Sequence, residues 1–255
     1  MRRALPVLLA VAALAAAGAT ASEVQAPPGR FVVQFAPPRN ANERFLVYLL
    51  RAAQLPQVFN ELGKHLKLPR NIIVRVQGGE HGPYYNPANR TIVLNHPFSA
   101  LVLNTFQEEY PKATGHRLGE LFAELEYFVL FHEVGHALVD QWDLPVLGRE
   151  EDAVDAFSTI FMTEFVNEGE FALAGADFFY YLAGKRQLDE VDFADEHSFD
   201  KQRAYSIACW VYGSNTQRYG FLRSVLPAKR RVRCPDEYRK LKKAWLGFLR
   251  PHVRV

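Results

Sequence analysis

The sequence predicts an α+β fold, a small N-terminal β-sheet packed on a mainly helical part with one central helix, and three observations predict it. Three short runs rich in β-branched residues fall between residues 31 and 96. RLGELFAELEYFVLFHEVGHALVDQW, Arg117 to Trp142, then carries apolar residues on several faces without a proline, and Pro145 with Gly148 closes it. A second helix starts near Arg149, and Tyr238, Leu241, Trp245 and Phe248 recur later at helical spacing.

Met1 to Ala21 begins with Arg2 and Arg3, continues through the apolar run LPVLLAVAALAAAG and ends in Ala19-Thr20-Ala21, the pattern of a secretory signal peptide. The run is too short to span a bilayer. The expectation is an exported protein, periplasmic or secreted after cleavage near Ala21, without stable membrane insertion. Residues 22–30 read as a flexible lead-in and 31–255 as a single domain, with a sheet-containing part over 31–110 and a helical part over 111–255.

The whole chain has 30 basic and 28 acidic residues, and losing Arg2 and Arg3 with the leader leaves the two signs equal, so net charge identifies no partner. The basic stretch from Lys229 to Arg254 reads as the solvated face of a helix, and no nucleic-acid partner is expected. Cys209 and Cys234 are expected to pair in an exported chain, stabilising it by a few kcal/mol through the unfolded state. Neither lies in a CxxC pattern, so neither is a candidate metal ligand.

FVVQF, Phe31 to Phe35, reads as the first strand and is ended by Pro37-Pro38. Asn42 to Leu66 reads as amphipathic helix in two pieces divided near Pro56. NIIVRVQ, Asn71 to Gln77, and TIVLNH, Thr91 to His96, read as strands on either side of the turn-rich GGEHGPYYNPANR. Thr91 to Asn95 is the expected open edge, where an extended peptide would add itself by backbone hydrogen bonds. His81 and His96 read as ordinary surface or turn histidines.

The chemistry concentrates in VLFHEVGHALVD. Residues four apart on a helix stand about 40° apart around its axis and one turn apart along it, so His132 and His136 can reach one metal ion. Glu133 falls in the same sector, near enough to approach an activated water without binding the metal, as a general base. Burying these three groups in an apolar helix is costly unless they are bonded, and a metal satisfies them together. A catalytic zinc needs a third protein ligand and an open fourth position. REEDAVDAF places Glu151 and Asp155 on one face of the next helix. Glu151 is the candidate third ligand and Asp155 the group that accepts a ring N–H from a ligand histidine. Position alone leaves Glu150 and Asp152 open as ligands, since the helix dipole favours acids in a first turn.

HEVGH followed by Glu151 and Asp155 resembles the gluzincin class of zinc metallopeptidases, whereas a metzincin would need Gly at Val139 and His at Trp142. The exported layout, GREEDAVDAF, DEHSFDKQR and the CWVYGS…RCPDEY cysteine pair are similar to a family of bacterial exported metallopeptidases over most of the mature chain. The resemblance implies a zincin-like domain, one zinc per chain and a polypeptide substrate, with Glu133 taking a proton from water and passing it to the leaving amine. It also implies a donor to the developing oxyanion from the segment after the second helix, where Tyr180, Tyr181, His197, Arg203, Tyr205 and Tyr212 are on offer. Among acids, His197 would be held protonated and is the first choice, Tyr205 the second. FFYYL, Phe178 to Leu182, reads as core. A non-catalytic, zinc-stabilised envelope binding protein and a zinc amidase acting on a non-protein amide are the alternatives; a closed structural site would have a fourth protein ligand.

Overall fold

The structure, a computed structural model, describes residues 28–80, 82–185 and 188–254. The expected leader, residues 22–27 of the lead-in and His81 lie outside the described residues. β1 (Phe31–Phe35), β2 (Ile72–Gln77), β3 (Tyr84–Asn86) and β4 (Thr91–Asn95) form one sheet in the order β1-β2-β4-β3. β1 is parallel to β2, with Phe31 opposite Ile72, and β2 is parallel to β4, with Ile73 opposite Thr91. β3 is antiparallel to β4, with Tyr84 opposite Val93. Sequence alone gives three of these strands. β3 is absent from that expectation because Gly82, Pro83 and Pro87 make its surroundings read as turn.

This order corrects the expected edge. Every residue of β4 is buried, and β2 and β3 take up its two sides, so no peptide can add along Thr91 to Asn95. Strands covered on both faces read as continuous apolar runs. The outer strands are β1 and β3. At the start of the described chain Gly29 pairs with Leu68 in an isolated bridge, and a Cβ there would stand 2.2 Å from the Arg70 carbonyl oxygen. Chain 28–30 is thus tied to the sheet's margin.

The expected two-piece helix is α1 (Ala41–Ala52) and α2 (Leu55–His65). Asn40 caps the first through its side chain, and Pro56 sits in the first turn of the second, where its missing N–H costs nothing. β4 runs directly into α3 (His96–Glu109), capped by the Asn95 side chain accepting from the Phe98 N–H at 3.0 Å. His96 therefore does not occupy a surface turn as expected. It is buried with Nδ1 3.5 Å from Glu43 Oε2, and burial pushes its pKa down.

α4 (Gly115–Trp142) is the central helix and is buried without a break from Leu125 to Gly135. A helix apolar on all sides is stable only as core. It packs against α3, β3, β4, α5 (Glu150–Phe161) and α6 (Glu170–Lys185). α5 passes into a π-helical turn at Met162–Val166. Phe178 and Phe179 of α6 are buried as expected, whereas Tyr180 is exposed. After the short α7 (Glu190–Ala194) come α8 (Asp200–Ser214), the one-turn α9 (Ala228–Arg231) and α10 (Cys234–Leu249).

Cys209 and Cys234 form a disulfide joining α8 to α10 across a sequence separation of 25 residues. Loop closure of that length is worth about 3–4 kcal/mol. α10 buries Tyr238 and Trp245 and turns basic side chains toward nearby acids, including Lys242 to Glu164 at 2.6 Å and Lys240 to Asp236 at 2.7 Å. No helix among the described residues is long and apolar enough to cross a membrane. The buried apolar side chains form a cluster reaching from Phe31 in β1 to Leu249 in α10.

Glu126 of α4 is 2% exposed, and neither carboxyl oxygen has a hydrogen-bond partner among the described residues. Burial pushes its pKa up to about 8. A folded pKa above the unfolded one imposes no penalty in acid, where both states are protonated. The penalty grows as the unfolded chain ionises and is complete above the folded pKa. Glu126→Gln removes the ionisation, so its Tm should move in the variant's favour relative to wild type as pH rises from about 5 to about 8. Thermal denaturation across that range measures it, and parallel Tm curves would show that Glu126 titrates alike in both states.

Candidate metal centre

The centre is assembled where α4 and α5 cross. His132 and His136 lie one turn apart on α4, with their Nε2 atoms 3.3 Å apart. Gly135, between them, faces α5: a Cβ there would stand 2.8 Å from Cβ of Val154 and 3.1 Å from the Phe157 ring. The missing side chain brings the first turn of α5 up to the imidazoles. Glu151 then sets Oε2 3.0 Å from His132 Nε2 and Oε1 3.2 Å from His136 Nε2.

The remaining ring nitrogens are held from outside. Asp155 Oδ1 lies 2.8 Å from His132 Nδ1, and Glu150 Oε1 lies 2.7 Å from His136 Nδ1. A carboxylate at Nδ1 holds an N–H there, so that the neutral form of each ring would turn the Nε2 lone pair toward the cluster. Arg203 of α8 in turn donates Nε and Nη2 to the two oxygens of Asp155 at 2.8 and 2.9 Å, and its guanidinium stacks 3.8 Å from the centroid of Phe179. Such a two-point ion pair fixes the carboxylate's plane as well as its place.

His197 also reaches the cluster, its Nε2 3.0 Å from Glu151 Oε2. Tyr205 does not line the same cavity. Its ring meets Tyr180 edge to face and lines a separate hollow with Asp152 and Trp210. The other aromatic donors are engaged elsewhere: the Tyr181 hydroxyl donates to Glu108, and the Tyr212 hydroxyl accepts from Arg223. Arg203, another candidate oxyanion donor, spends its guanidinium on Asp155.

The electrostatics follow from the crowding of acids and imidazoles. Burial pushes the Glu151 carboxyl up, yet hydrogen bonds from His132, His136 and His197 outweigh it and hold it well below the usual range. Burial also opposes ionisation of Asp155, and Arg203 with His132 reverses it. Against the same desolvation, the bonds to Glu151 and Glu150 push His136 up to about 9. Glu133 moves the other way, raised by burial despite the nearby histidines. Buried carboxylates here draw protons onto imidazoles, a demand that a divalent cation meets while releasing those protons.

The donor set fits such an ion. Nitrogen and oxygen ligands about 2.0–2.1 Å from a tetrahedral zinc stand roughly 3.3–3.4 Å from one another. The His132 and His136 Nε2 atoms, 3.3 Å apart, have that spacing, and each has one Glu151 carboxyl oxygen beside it, Oε2 at 3.0 Å from His132 and Oε1 at 3.2 Å from His136. One ligand atom each from His132, Glu151 and His197 also lie within 4.8 Å of one another.

A cavity of about 760 Å³ opens over these residues, with Glu133, Arg149 and Glu196 on its walls and Tyr84 and Tyr85 of β3 along one side. The Tyr85 hydroxyl donates to Asp140 of α4 at 2.6 Å, tying the outer strand to the histidine helix. Neither the Glu150 contact nor this β3 wall emerges from the sequence. The only available signals are the position of Glu150 beside Glu151 and the paired tyrosines between two prolines.

A histidine pair, one buried and one partly buried, joined by a glutamate on a neighbouring helix and with each imidazole backed by a carboxylate, is a set of side chains that could hold a divalent ion, as in metallohydrolases. A family model described as "Putative metallopeptidase" matches residues 35–249, and the chain belongs to that family. The match runs from the last residue of β1 to the last of α10 and so takes in the whole centre. No curated protein and no solved structure matches the chain.

Gly135→Ala tests the helix crossing. Alanine is favoured over glycine within a helix by about 1 kcal/mol, so a net loss must come from the contact with Val154 and Phe157. The expected outcome is destabilisation by about 1–3 kcal/mol from overpacking, with weaker zinc binding in competition with a chelator. Wild-type zinc affinity in the variant would show that this close approach does not set the ligand geometry.

Proposed function

We propose that the protein is an exported, gluzincin-type zinc peptidase, folded over 31–255 as one zincin-like domain. The observation that carries this reading is the burial of Glu133 in the same open cavity as His132, His136 and Glu151. A zinc whose role is only structural has no use for a carboxylate there. The disulfide supports the exported assignment, since such bonds persist in oxidising compartments.

His132, His136 and Glu151 would hold the ion, and Asp155 and Glu150 would set the tautomer and plane of the two imidazoles. Zinc, when bound, supplies Lewis-acid polarisation of a substrate carbonyl and of a water. Glu133 would take a proton from a water as that oxygen bonds to the substrate carbonyl carbon, and deliver it to the amine nitrogen as the C–N bond breaks. Burial makes the carboxylate a stronger base than a solvated one, which suits the first of these transfers. An extended peptide lies along β3, the outer strand on the wall of the cavity, pairing through its backbone.

The test is Glu133→Gln in the mature protein. Loss of peptide-library cleavage by about 10²-fold or more, with about one zinc per chain retained, is the expected result, and alanine at His132, His136 or Glu151 should lose the zinc itself. Full hydrolysis in Glu133→Gln would remove its role as base.

A further inference from the structure

The placement of His197 supports a role other than donation to an oxyanion, one that rests on the zinc-peptidase reading. We propose that His197 is a fourth, displaceable ligand that closes the metal site in the resting protein and yields its position to substrate. Its Nε2 lies 3.0 Å from Glu151 Oε2, the same separation that His132 Nε2 keeps from that oxygen. Its Nδ1 lies 2.9 Å from Asp195 Oδ1, which also accepts the His197 backbone N–H at 2.7 Å. This repeats the arrangement of His132 on Asp155 and His136 on Glu150, with Nδ1 on a carboxylate and Nε2 on the cluster. A side chain reserved for an oxyanion would keep Nε2 free in the cavity. Arg149 Nη1 donates to the His197 carbonyl at 2.6 Å and holds this stretch of backbone against the start of α5.

Burial separates the ligands into two kinds. The side chains of His132, Glu151 and His136 are 7%, 12% and 15% exposed, whereas His197 is 40% exposed and its partner Asp195 46%. His132 and His136 belong to a core helix, and Asp155 and Glu150 hold their rings there. His197 lies between α7 and α8, outside any helix, and can turn away while Arg149 keeps its backbone in place. Four permanent protein ligands would make a structural site and leave Glu133 without a task. One exposed, exchangeable ligand accounts for both the closed geometry and the buried base.

Mature wild-type protein, His197→Ala and His197→Gln would be titrated with zinc against a chromophoric chelator. Visible spectra of their cobalt(II) forms would be recorded with and without acetohydroxamate, and far-UV circular dichroism would check folding. Both variants should bind zinc at least about tenfold more weakly, since even outer partners of metal ligands are worth that much. Their cobalt bands should weaken as solvent enters, and acetohydroxamate should bind them more tightly than it binds wild type. Unchanged zinc affinity and cobalt spectra in both variants would overturn the assignment of His197 while leaving the three-ligand peptidase reading intact. Acetohydroxamate that binds the variants but never the wild type would make the closure permanent and overturn displacement. A wild-type protein that takes up no zinc would overturn both readings together.

Discussion

Glu151 meets two imidazoles of another helix because Gly135 presents no side chain to Val154 and Phe157. The rest of the centre depends on that close crossing. Once the first turn of α5 is seated on α4, Asp155 falls on His132, Glu150 falls on His136, and Arg203 closes on Asp155 from α8. A wider crossing would leave His132 and Asp155 buried without their partners, and an unpaired buried charge costs several kcal/mol.

The charges concentrated at this crossing suit it to a cation. Carboxylates of Glu150, Glu151 and Asp155 gather around the two α4 histidines, and Arg203 offsets the innermost of them. The balance otherwise falls to protons, as the upward shifts of His132 and His136 indicate. A metal ion bound here would compete with protons for the same nitrogens. Behind His132, Asp155 is held by Arg203, whose guanidinium lies over the Phe179 ring.

Local pattern made the scaffold readable. The apolar run from Arg117 to Trp142 marks α4, the acid pair at Glu151 and Asp155 marks the face of α5 that meets His132, and the β-branched runs mark β1, β2 and β4. The arrangement of the sheet was not readable, because strand order is set by pairings distant in sequence. β4 was expected at an edge and lies inside, and the edges are β1 and β3, the latter three residues hidden among glycine and proline. His96 was misplaced for a related reason: nothing local says that a strand will run straight into a helix without a turn. Glu150 was obscured by an adequate local explanation, the helix dipole, which favours acids in a first turn whatever else they do. For His197, its acidic surroundings were legible, but its contact with Glu151 depends on how α6 and α8 bring the intervening chain back to α5.

The brevity of β3 bears on how long any bound chain would stay. A strand of three residues can offer an incoming peptide only two or three backbone hydrogen bonds, each worth about 1 kcal/mol net. That amounts to a gain of roughly 10²-fold in affinity from the main chain. So weak a hold favours short residence and rapid departure of cleaved halves. Preference among sequences must then come from side-chain contacts such as those of Tyr84 and Tyr85, since the backbone of β3 reads nothing but an extended chain.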